Sequence, residues 1–276
     1  MTLPPEFKSF ELITPFECGN FKFALFDFDG TISLIREGWQ KIMVPMMIEL
    51  LMQTPHHEDE QEIALITRKF VTELTGKQTI YQTIRLAEEI SQRGGIPLEP
   101  MVYKNEYHRR LLERIKNRIS DLEQKRVSPE SMAVPGSIEF VKQLHDNGIK
   151  CFLASGTDEE YVLHEADLLG LPPYFEGIYG AQDDYINFSK QMVIDRIIRT
   201  NHLSGSEFIS FGDGYVEIEN TKSVSGVAVG VATNEAERYG IDEWKRSRLI
   251  AAGADLIIPD FRETDALIKY LLNRTH

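Results

Sequence analysis

Cysteine is scarce in this sequence, and no stretch of it stays apolar for long. Its 276 residues include two cysteines, Cys18 and Cys151, which are too few for a disulfide framework and are typical of a reducing compartment. The longest apolar stretches, such as Met43–Met52, are too short or too interrupted to span a bilayer. The opening residues Met1–Glu6 have neither a basic nor an apolar region, so no signal peptide is predicted. We therefore expect a cytoplasmic protein.

Positive charge is also in short supply. Lysine and arginine number 30 against 43 aspartates and glutamates, a formal net charge of −13. Nucleic-acid binding needs a basic surface, and anionic membranes attract basic segments, so we expect neither partner. The net negative charge does not exclude a small anionic substrate, because a metal ion and a few local donors can make the electrostatic potential positive inside one pocket.

Short apolar runs alternate with helix-like stretches over most of the chain. The predicted strands are Phe21–Phe26, Lys150–Ala154, Gly177–Tyr179, Phe208–Phe211, Val227–Ala232 and Ala254–Ile258. Helical periodicity is found in Ser137–Asn147, Glu159–Leu169, Ser189–Asn201 and Asp265–Leu272. Near-continuous apolar runs are typical of strands buried on both faces. The alternation predicts an α/β fold, a three-layer parallel sheet core with helices on both sides.

One long segment breaks this rhythm. Residues 34–134 contain no strand-like run and have four candidate helices, which are Trp39–Met52, Glu60–Thr75, Thr79–Gln92 and Pro100–Lys125. Such a segment, inserted after the first strand, predicts a separate α-helical domain. We therefore predict a core domain of residues 1–33 and 135–276 and a helical domain of residues 34–134.

Polar side chains cluster where the predicted strands end, which is where ligands bind in open parallel sheets. They are Asp27, Asp29, Ser155, Lys190, Asp213 and Glu217. Asp27 and Asp29 face the same side of an extended segment, and one such carboxyl can serve as nucleophile while the other transfers a proton. Asp213 completes an oxygen set that suits Mg²⁺. Ser155 and the Gly156 N–H can hold phosphoryl oxygens, so these are the parts that phosphoryl transfer needs.

The same residues carry a family resemblance. The segment 27–31, Asp-Phe-Asp-Gly-Thr, resembles the D-x-D-G-T signature of the haloacid dehalogenase superfamily. Residues 153–157 look like its second motif, a strand ending in Ser or Thr, and Lys190 is similar to its third. Residues 211–217 resemble its fourth motif, G-D-x-x-x-[DE]. The ordered set implies a Rossmann-like core with an inserted α-helical cap.

The resemblance implies a role for each acid. Asp27 would attack phosphorus and form an aspartyl-phosphate. Asp29 would protonate the leaving group and then deprotonate the water that hydrolyses the intermediate. Mg²⁺ would be held by the Asp27 and Asp213 carboxylates and by the Asp29 backbone carbonyl.

The remaining motif residues would support these acids. Lys190 would neutralise charge on the nucleophile and on the phosphoryl group, and Ser155 and Gly156 would bind phosphate. Glu217 would act through water or through Lys190, and Thr31 would support the first loop.

The second acid of the first motif and the helical insert indicate a subclass of the family. The family's dehalogenases lack the second acid, so Asp29 favours phosphoryl chemistry. The helical insert resembles the cap of the phosphoglycolate phosphatase and β-phosphoglucomutase branch, in which a loop of the form L-x-G-x-x reaches the active site. Leu74–Thr79 looks similar, which makes Gly76 and Lys77 candidate substrate contacts. Arg36 and Trp39, shortly after the first motif, are two more.

The leading hypothesis is a Mg²⁺-dependent phosphatase acting on a small phosphorylated metabolite, as a monomer or homodimer. A phosphomutase is an alternative: the position of the mutase arginine holds Thr79 here, which disfavours it, although Lys77 could substitute. A phosphonate-cleaving enzyme would need a Schiff-base lysine, for which Lys41, Lys69 and Lys77 are candidates. A binding module without turnover is the third hypothesis. The polar segment Asn234–Gly253 has no predicted chemistry, and Asp183–Asp184 is predicted to lie on a loop.

Overall fold

The computed structural model describes residues 9–182 and 189–273, so the Asp183–Asp184 pair lies outside the described residues. The chain divides into two compact units. The helical unit is Gly38–Asn117, and the sheet unit consists of the chain up to Glu37 and from Arg118 onward.

The sheet unit is built on a mostly parallel sheet. Its strands, within the described residues, are β1 (Glu11–Leu12), β2 (Phe23–Phe26), β3 (Lys150–Asp158), β4 (Gly177–Ala181), β5 (Phe208–Gly212), β6 (Val227–Val231) and β7 (Leu256–Ile258). The strand order is β1-β7-β6-β5-β2-β3-β4. All neighbours are parallel except β1, which pairs antiparallel with β7. The predicted α/β fold with a parallel sheet is confirmed.

Helices connect the strands and make up the insert. In the described part of the chain they are α1 (Gln40–Leu51), α2 (Glu60–Glu73), α3 (Thr79–Gln92), α4 (Pro100–Glu123), α5 (Ser137–Asp146), α6 (Glu159–Leu168), α7 (Lys190–Asn201), α8 (Tyr215–Ser223), α9 (Glu243–Ala251) and α10 (Thr264–Leu271). Short 3₁₀ turns cover Pro129–Met132, Pro172–Tyr174 and Gly205–Glu207. Each described helix is too short or too polar to cross a membrane.

The core of the sheet unit is aromatic around the central strand. All four residues of β2 are buried, as its continuous apolar sequence predicts for a strand covered on both faces. The Phe26 ring stacks on Phe211 of β5 with centroids 4.7 Å apart, and Phe140 of α5 meets Phe211 edge-on at 5.1 Å. Truncating a buried phenylalanine of this kind costs about 3–5 kcal/mol, so this cluster fixes β2 and the residues that follow it.

The helical unit contains α1, α2, α3 and most of α4. The four helices begin and end within a few residues of their predicted bounds, since each has an apolar face and a clear start or stop. Asp59 caps α2 by accepting a hydrogen bond from the Glu62 N–H. Arg93, at the end of α3, is buried between Glu58 and Glu89. The unit therefore has a buried polar network of its own.

The compact helical unit is narrower than the predicted domain of residues 34–134. Arg118 of α4 donates to the carbonyl oxygens of Ile35 at 2.8 Å and Glu37 at 3.0 Å. The Val134 N–H donates to the Ile32 carbonyl oxygen at 2.8 Å. These bonds tie both flanks of the insert to the sheet unit, and the predicted domain division stays a prediction.

Candidate active site

The carboxyl ends of neighbouring strands meet beside Asp27. β2 lies between β3 and β5, and its last residue, Phe26, pairs with Leu153 and Phe211. The Asp27 N–H extends this pairing by donating to the Phe211 carbonyl oxygen at 2.9 Å. Asp213 directly follows β5. Parallel strands end at one edge of the sheet, so the two aspartates share that edge.

A tight loop follows β2. The Phe28 carbonyl oxygen accepts hydrogen bonds from the N–H groups of Thr31, Ile32 and Ser33, at 3.3, 2.8 and 2.8 Å. Gly30 has a φ of 75°, in the left-handed region that glycine adopts without steric cost. Thr31, predicted to support the loop, is fully buried within it.

Lys190 joins two of the predicted acids. It is the first residue of α7, where the Ser189 side chain caps the helix. Its Nζ donates to Asp27 Oδ1 at 2.7 Å and also contacts Glu217 Oε1. The Phe28 N–H donates to the same Asp27 oxygen at 2.8 Å. One carboxylate oxygen of Asp27 is therefore fixed by two donors.

The electrostatics of this group depend on burial and on mutual charge. Burial raises the pKa of Asp27 well above its usual range; Lys190 opposes this shift, while Glu217 and Asp213 add to it. Burial alone would lower the pKa of Lys190, but the carboxylates of Asp27 and Glu217 raise it overall. Lys190 therefore stays an ammonium group, and an additional cation would favour the charged form of Asp27.

Asp29 has a different environment. Its Oδ2 accepts a hydrogen bond from Thr157 Oγ1 at 2.8 Å, and its Oδ1 is a buried atom without a hydrogen-bond partner among the described residues. Burial raises the pKa of Asp29, although Arg36 and the Thr157 hydrogen bond lower it in part. A raised pKa favours a carboxyl that can give and take a proton.

The predicted phosphate-binding residues lie within β3. The strand continues past its predicted end at Ala154 and includes Ser155, Gly156 and Thr157. Ser155 is almost completely buried, and its Oγ accepts from the Thr157 N–H at 3.1 Å. This bond orients the Ser155 side chain. The next hydroxyl along the strand, that of Thr157, contacts Asp29.

Two residues that sequence reasoning missed complete the acidic cluster. Lys245 of α9 donates to Asp213 Oδ2 at 2.7 Å and to Glu235 Oε1 at 2.6 Å. Both residues lie in the segment Asn234–Gly253, which has no predicted chemistry. Glu235 follows β6 closely, so the strand-end rule could have found it. Lys245 sits in a helix with no motif, and no sequence signal identifies it.

Arg36, a predicted substrate contact, is engaged inside the sheet unit. Its Nε and Nη2 donate to Glu165 Oε1 of α6 at 2.9 and 2.7 Å. The guanidinium also lies over the Tyr161 ring, 5.3 Å from its centroid. Both charged side chains of the pair are more than nine-tenths buried. The structure therefore gives Arg36 an internal partner, and its substrate contact stays a prediction.

The other three predicted substrate contacts belong to the helical unit. Gly76 lies in the turn between α2 and α3 with a φ of 96°. Lys77 Nζ lies 6.0 Å from the centroid of the Tyr81 ring. Trp39 precedes α1. Their part in the site stays a prediction.

Comparison with known proteins identifies the family. The model of the haloacid dehalogenase-like hydrolases matches residues 21–220. The chain belongs to that family. The matched region contains all four quoted motifs of this haloacid dehalogenase-like hydrolase and ends before Glu235 and Lys245. A search of curated proteins finds no match.

Solved structures share the fold at low sequence identity. A predicted phosphoglycolate phosphatase from Haemophilus somnus 129pt is 15% identical, with 90% of this chain and 98% of that chain covered and a TM-score of 0.60. A predicted phosphatase from Clostridium acetobutylicum is 17% identical, with coverage of 90% and 99% and a TM-score of 0.60. β-Phosphoglucomutase from Clostridium difficile is 16% identical, with coverage of 88% and 92% and a TM-score of 0.58. At these identities the likeness concerns the fold.

The donor set of this haloacid dehalogenase-like hydrolase suits a hard divalent cation. No group of three or more His, Cys, Asp or Glu side chains in the described residues is already arranged around a common cation position, and two ammonium groups bridge the acids instead. Hydrogen bonds within the described residues engage only Oδ1 of Asp27 and only Oδ2 of Asp213. One oxygen of each carboxylate thus accepts no hydrogen bond there, and oxygen ligands are those that Mg²⁺ prefers. The residues fit the ion by their chemistry.

Proposed function

We propose that this hydrolase is a Mg²⁺-dependent phosphatase that cleaves a small-molecule phosphate monoester through an aspartyl-phosphate on Asp27. The single observation that carries the proposal is the environment of Asp27 at the end of β2. A buried carboxylate that is held in place by hydrogen bonds from Lys190 and the Phe28 N–H to Oδ1 is oriented for attack on phosphorus.

In the proposed reaction, the Asp27 carboxylate attacks phosphorus, the bond from phosphorus to the leaving oxygen breaks, and Asp29 gives that oxygen a proton. Asp29 then takes a proton from the water that hydrolyses the aspartyl-phosphate, and the carboxylate of Asp27 is regenerated. The pKa of Asp29, raised by burial, supports its holding a proton before the first step. Lys190 balances the negative charge of the Asp27 carboxylate before attack and that of the phosphoryl oxygens during transfer.

The supporting residues are proposed by motif and by position. Ser155 and Gly156 would bind the phosphoryl group, and Glu217 would hold Lys190, which it contacts. Thr31 would keep the loop after β2 in shape. Mg²⁺, when bound by Asp27, Asp213 and the Asp29 carbonyl, would supply positive charge to the nucleophile and to the phosphoryl oxygens.

Substrate choice is proposed to depend on the predicted helical domain, residues 34–134, with Trp39, Gly76 and Lys77 as contacts. Arg36, which lies in the compact sheet unit, is retained as a candidate contact. We further propose that the protein acts in the cytoplasm on a small phosphorylated metabolite, as a monomer or homodimer.

The test is release of p-nitrophenol from p-nitrophenyl phosphate with and without Mg²⁺. We expect hydrolysis that depends on Mg²⁺, is stopped by EDTA and is lost in Asp27→Asn, which keeps the size of the side chain. The matched control is Asp260→Asn, because Asp260 is another buried aspartate just after a parallel strand, where it binds Arg262. Full activity of Asp27→Asn would contradict the mechanism, as would full activity in excess EDTA.

A further inference from the structure

Lys245 is a buried lysine whose partners include a proposed metal ligand. It lies in the first turn of α9, where the Asp242 side chain caps the helix by accepting from the Lys245 N–H at 3.0 Å. Its side chain is 10% exposed, and its Nζ bridges Asp213 Oδ2 and Glu235 Oε1 at 2.7 and 2.6 Å. An ordered, desolvated ammonium between two carboxylates has a fixed geometry, unlike an exposed ion pair.

Asp213 is constrained from a second side by the loop after β2. A Cβ built on Gly30 would overlap Asp213 Oδ2 and would come within 3.1 Å of Glu235 Oε1. The absent side chain of Gly30 therefore makes the space in which Asp213 and Glu235 lie next to that loop. Lys245 holds the carboxylate by the oxygen that faces Gly30, and Asp213 Oδ1 accepts no hydrogen bond within the described residues.

The charges of this group are balanced by Lys245. Its ammonium group lies between the carboxylates of Asp213 and Glu235, so without it these two close carboxylates would repel each other.

We propose that Lys245, anchored by Glu235, is a positioning residue that holds Asp213 by Oδ2 and so presents Oδ1 to the divalent cation of the site. The inference rests on the proposed function, since it requires that Asp213 bind the cation. It goes beyond the family motifs, because the family match ends at residue 220 and both new residues follow it. Lys245 contacts Asp213, the proposed cation ligand.

Two effects of Lys245 on cation binding oppose each other. Its positive charge repels a nearby divalent cation, so removing the charge alone would tighten binding. Its hydrogen bond fixes Asp213, so removing the bond would weaken binding, and loss of such outer partners typically costs about 10–100-fold in metal affinity. The proposal states that orientation outweighs repulsion.

The experiment measures the affinity of the full chain for Mn²⁺ without substrate, from the electron paramagnetic resonance signal of the free ion. We expect Lys245→Met to weaken Mn²⁺ binding by about tenfold or more, and Lys245→Arg, which keeps a charged donor, to restore most of the affinity. Lys222→Met is the matched control, because Lys222 also pairs with a buried carboxylate, that of Asp255 at 2.8 Å. It should leave Mn²⁺ binding unchanged.

Each outcome decides the proposal. Unchanged or tighter binding in a folded Lys245→Met variant would overturn it, because charge would then outweigh orientation. If circular dichroism shows that this variant fails to fold, Glu235→Gln replaces it, and undiminished binding there overturns the anchoring role. Wild-type protein that binds no Mn²⁺ would refute the cation site of the proposed function itself, which separates that failure from failure of the Lys245 inference.

Discussion

The buried ion pair between Arg36 and Glu165 gives a prediction that can be worked out from the structure. The two side chains are 6% and 2% exposed and share two hydrogen bonds to Glu165 Oε1, at 2.9 and 2.7 Å. Arg36→Met removes the cation of the pair and leaves the Glu165 carboxylate without it in a desolvated environment. Breaking a buried pair on one side typically costs about 3–5 kcal/mol, a large part of the roughly 5–15 kcal/mol that stabilises a native protein.

A double variant, Arg36→Met with Glu165→Met, shows how much of the lost stability comes from leaving one buried charge unpaired. Replacing both partners with apolar side chains of similar size is often neutral or stabilising, by about 1–4 kcal/mol. We therefore expect Arg36→Met and Glu165→Met each to lower the free energy of unfolding by about 3 kcal/mol or more, and the double variant to recover most of that loss. The effects of the two single substitutions should thus be strongly non-additive.

The assay is urea denaturation followed by far-ultraviolet circular dichroism, from which the free energy of unfolding is extrapolated. Arg109→Met is the control, because Arg109 also pairs with a glutamate, Glu106, but is 67% exposed. We expect that control to change the unfolding free energy by less than about 1 kcal/mol. Additive effects in the double variant would refute the reasoning, as would a near-neutral Arg36→Met.

Three further predictions concern the site and the core. Gly30→Ala should lose about 1–2 kcal/mol of stability from its left-handed backbone and should weaken Mn²⁺ binding by displacing Asp213, as urea denaturation and Mn²⁺ titration would show. Thr157→Val removes a hydrogen bond that favours the charged form of Asp29, so the pKa of Asp29 should rise. Because Asp29 must hold a proton in the first step, the basic limb of the pH–rate profile should move to higher pH by up to about one unit. Burial raises the pKa of Cys151 to about 12, so its thiol should react with Ellman's reagent at about pH 8 only after denaturation.

The sheet and the motif acids could be predicted because both follow from short-range rules. β2 is an unbroken apolar run followed at once by Asp27, and that pattern alone indicates a buried parallel strand with a polar end. The helical insert was predictable because α3 lies between residues that break helices, Gly76 before it and Gly94-Gly95 after it. Such local patterns need no knowledge of the neighbouring strands.

Features that depend on tertiary contacts could not be predicted. β1 has only two residues and exists because it pairs with β7. The contact of Lys190 with Glu217 follows from the order of the motifs, whereas that of Lys245 with Asp213 joins residues 32 positions apart without a pattern. Arg36 appeared suited to substrate because it follows the first motif, and only the fold shows Glu165 beside it. These pairings depend on crossovers that composition and periodicity do not encode.

Trapping the phosphorylated intermediate would show which residue carries the phosphoryl group, and we propose that this residue is Asp27. The protein would be mixed with radiolabelled acetyl phosphate and Mg²⁺, quenched in acid, treated with borohydride and digested, and the labelled or reduced peptide identified by mass spectrometry. We expect modification of the peptide at Asp27 in the wild type and none in Asp27→Asn. Phosphate release by Asp27→Asn at the wild-type rate, or modification at another residue, would contradict the account.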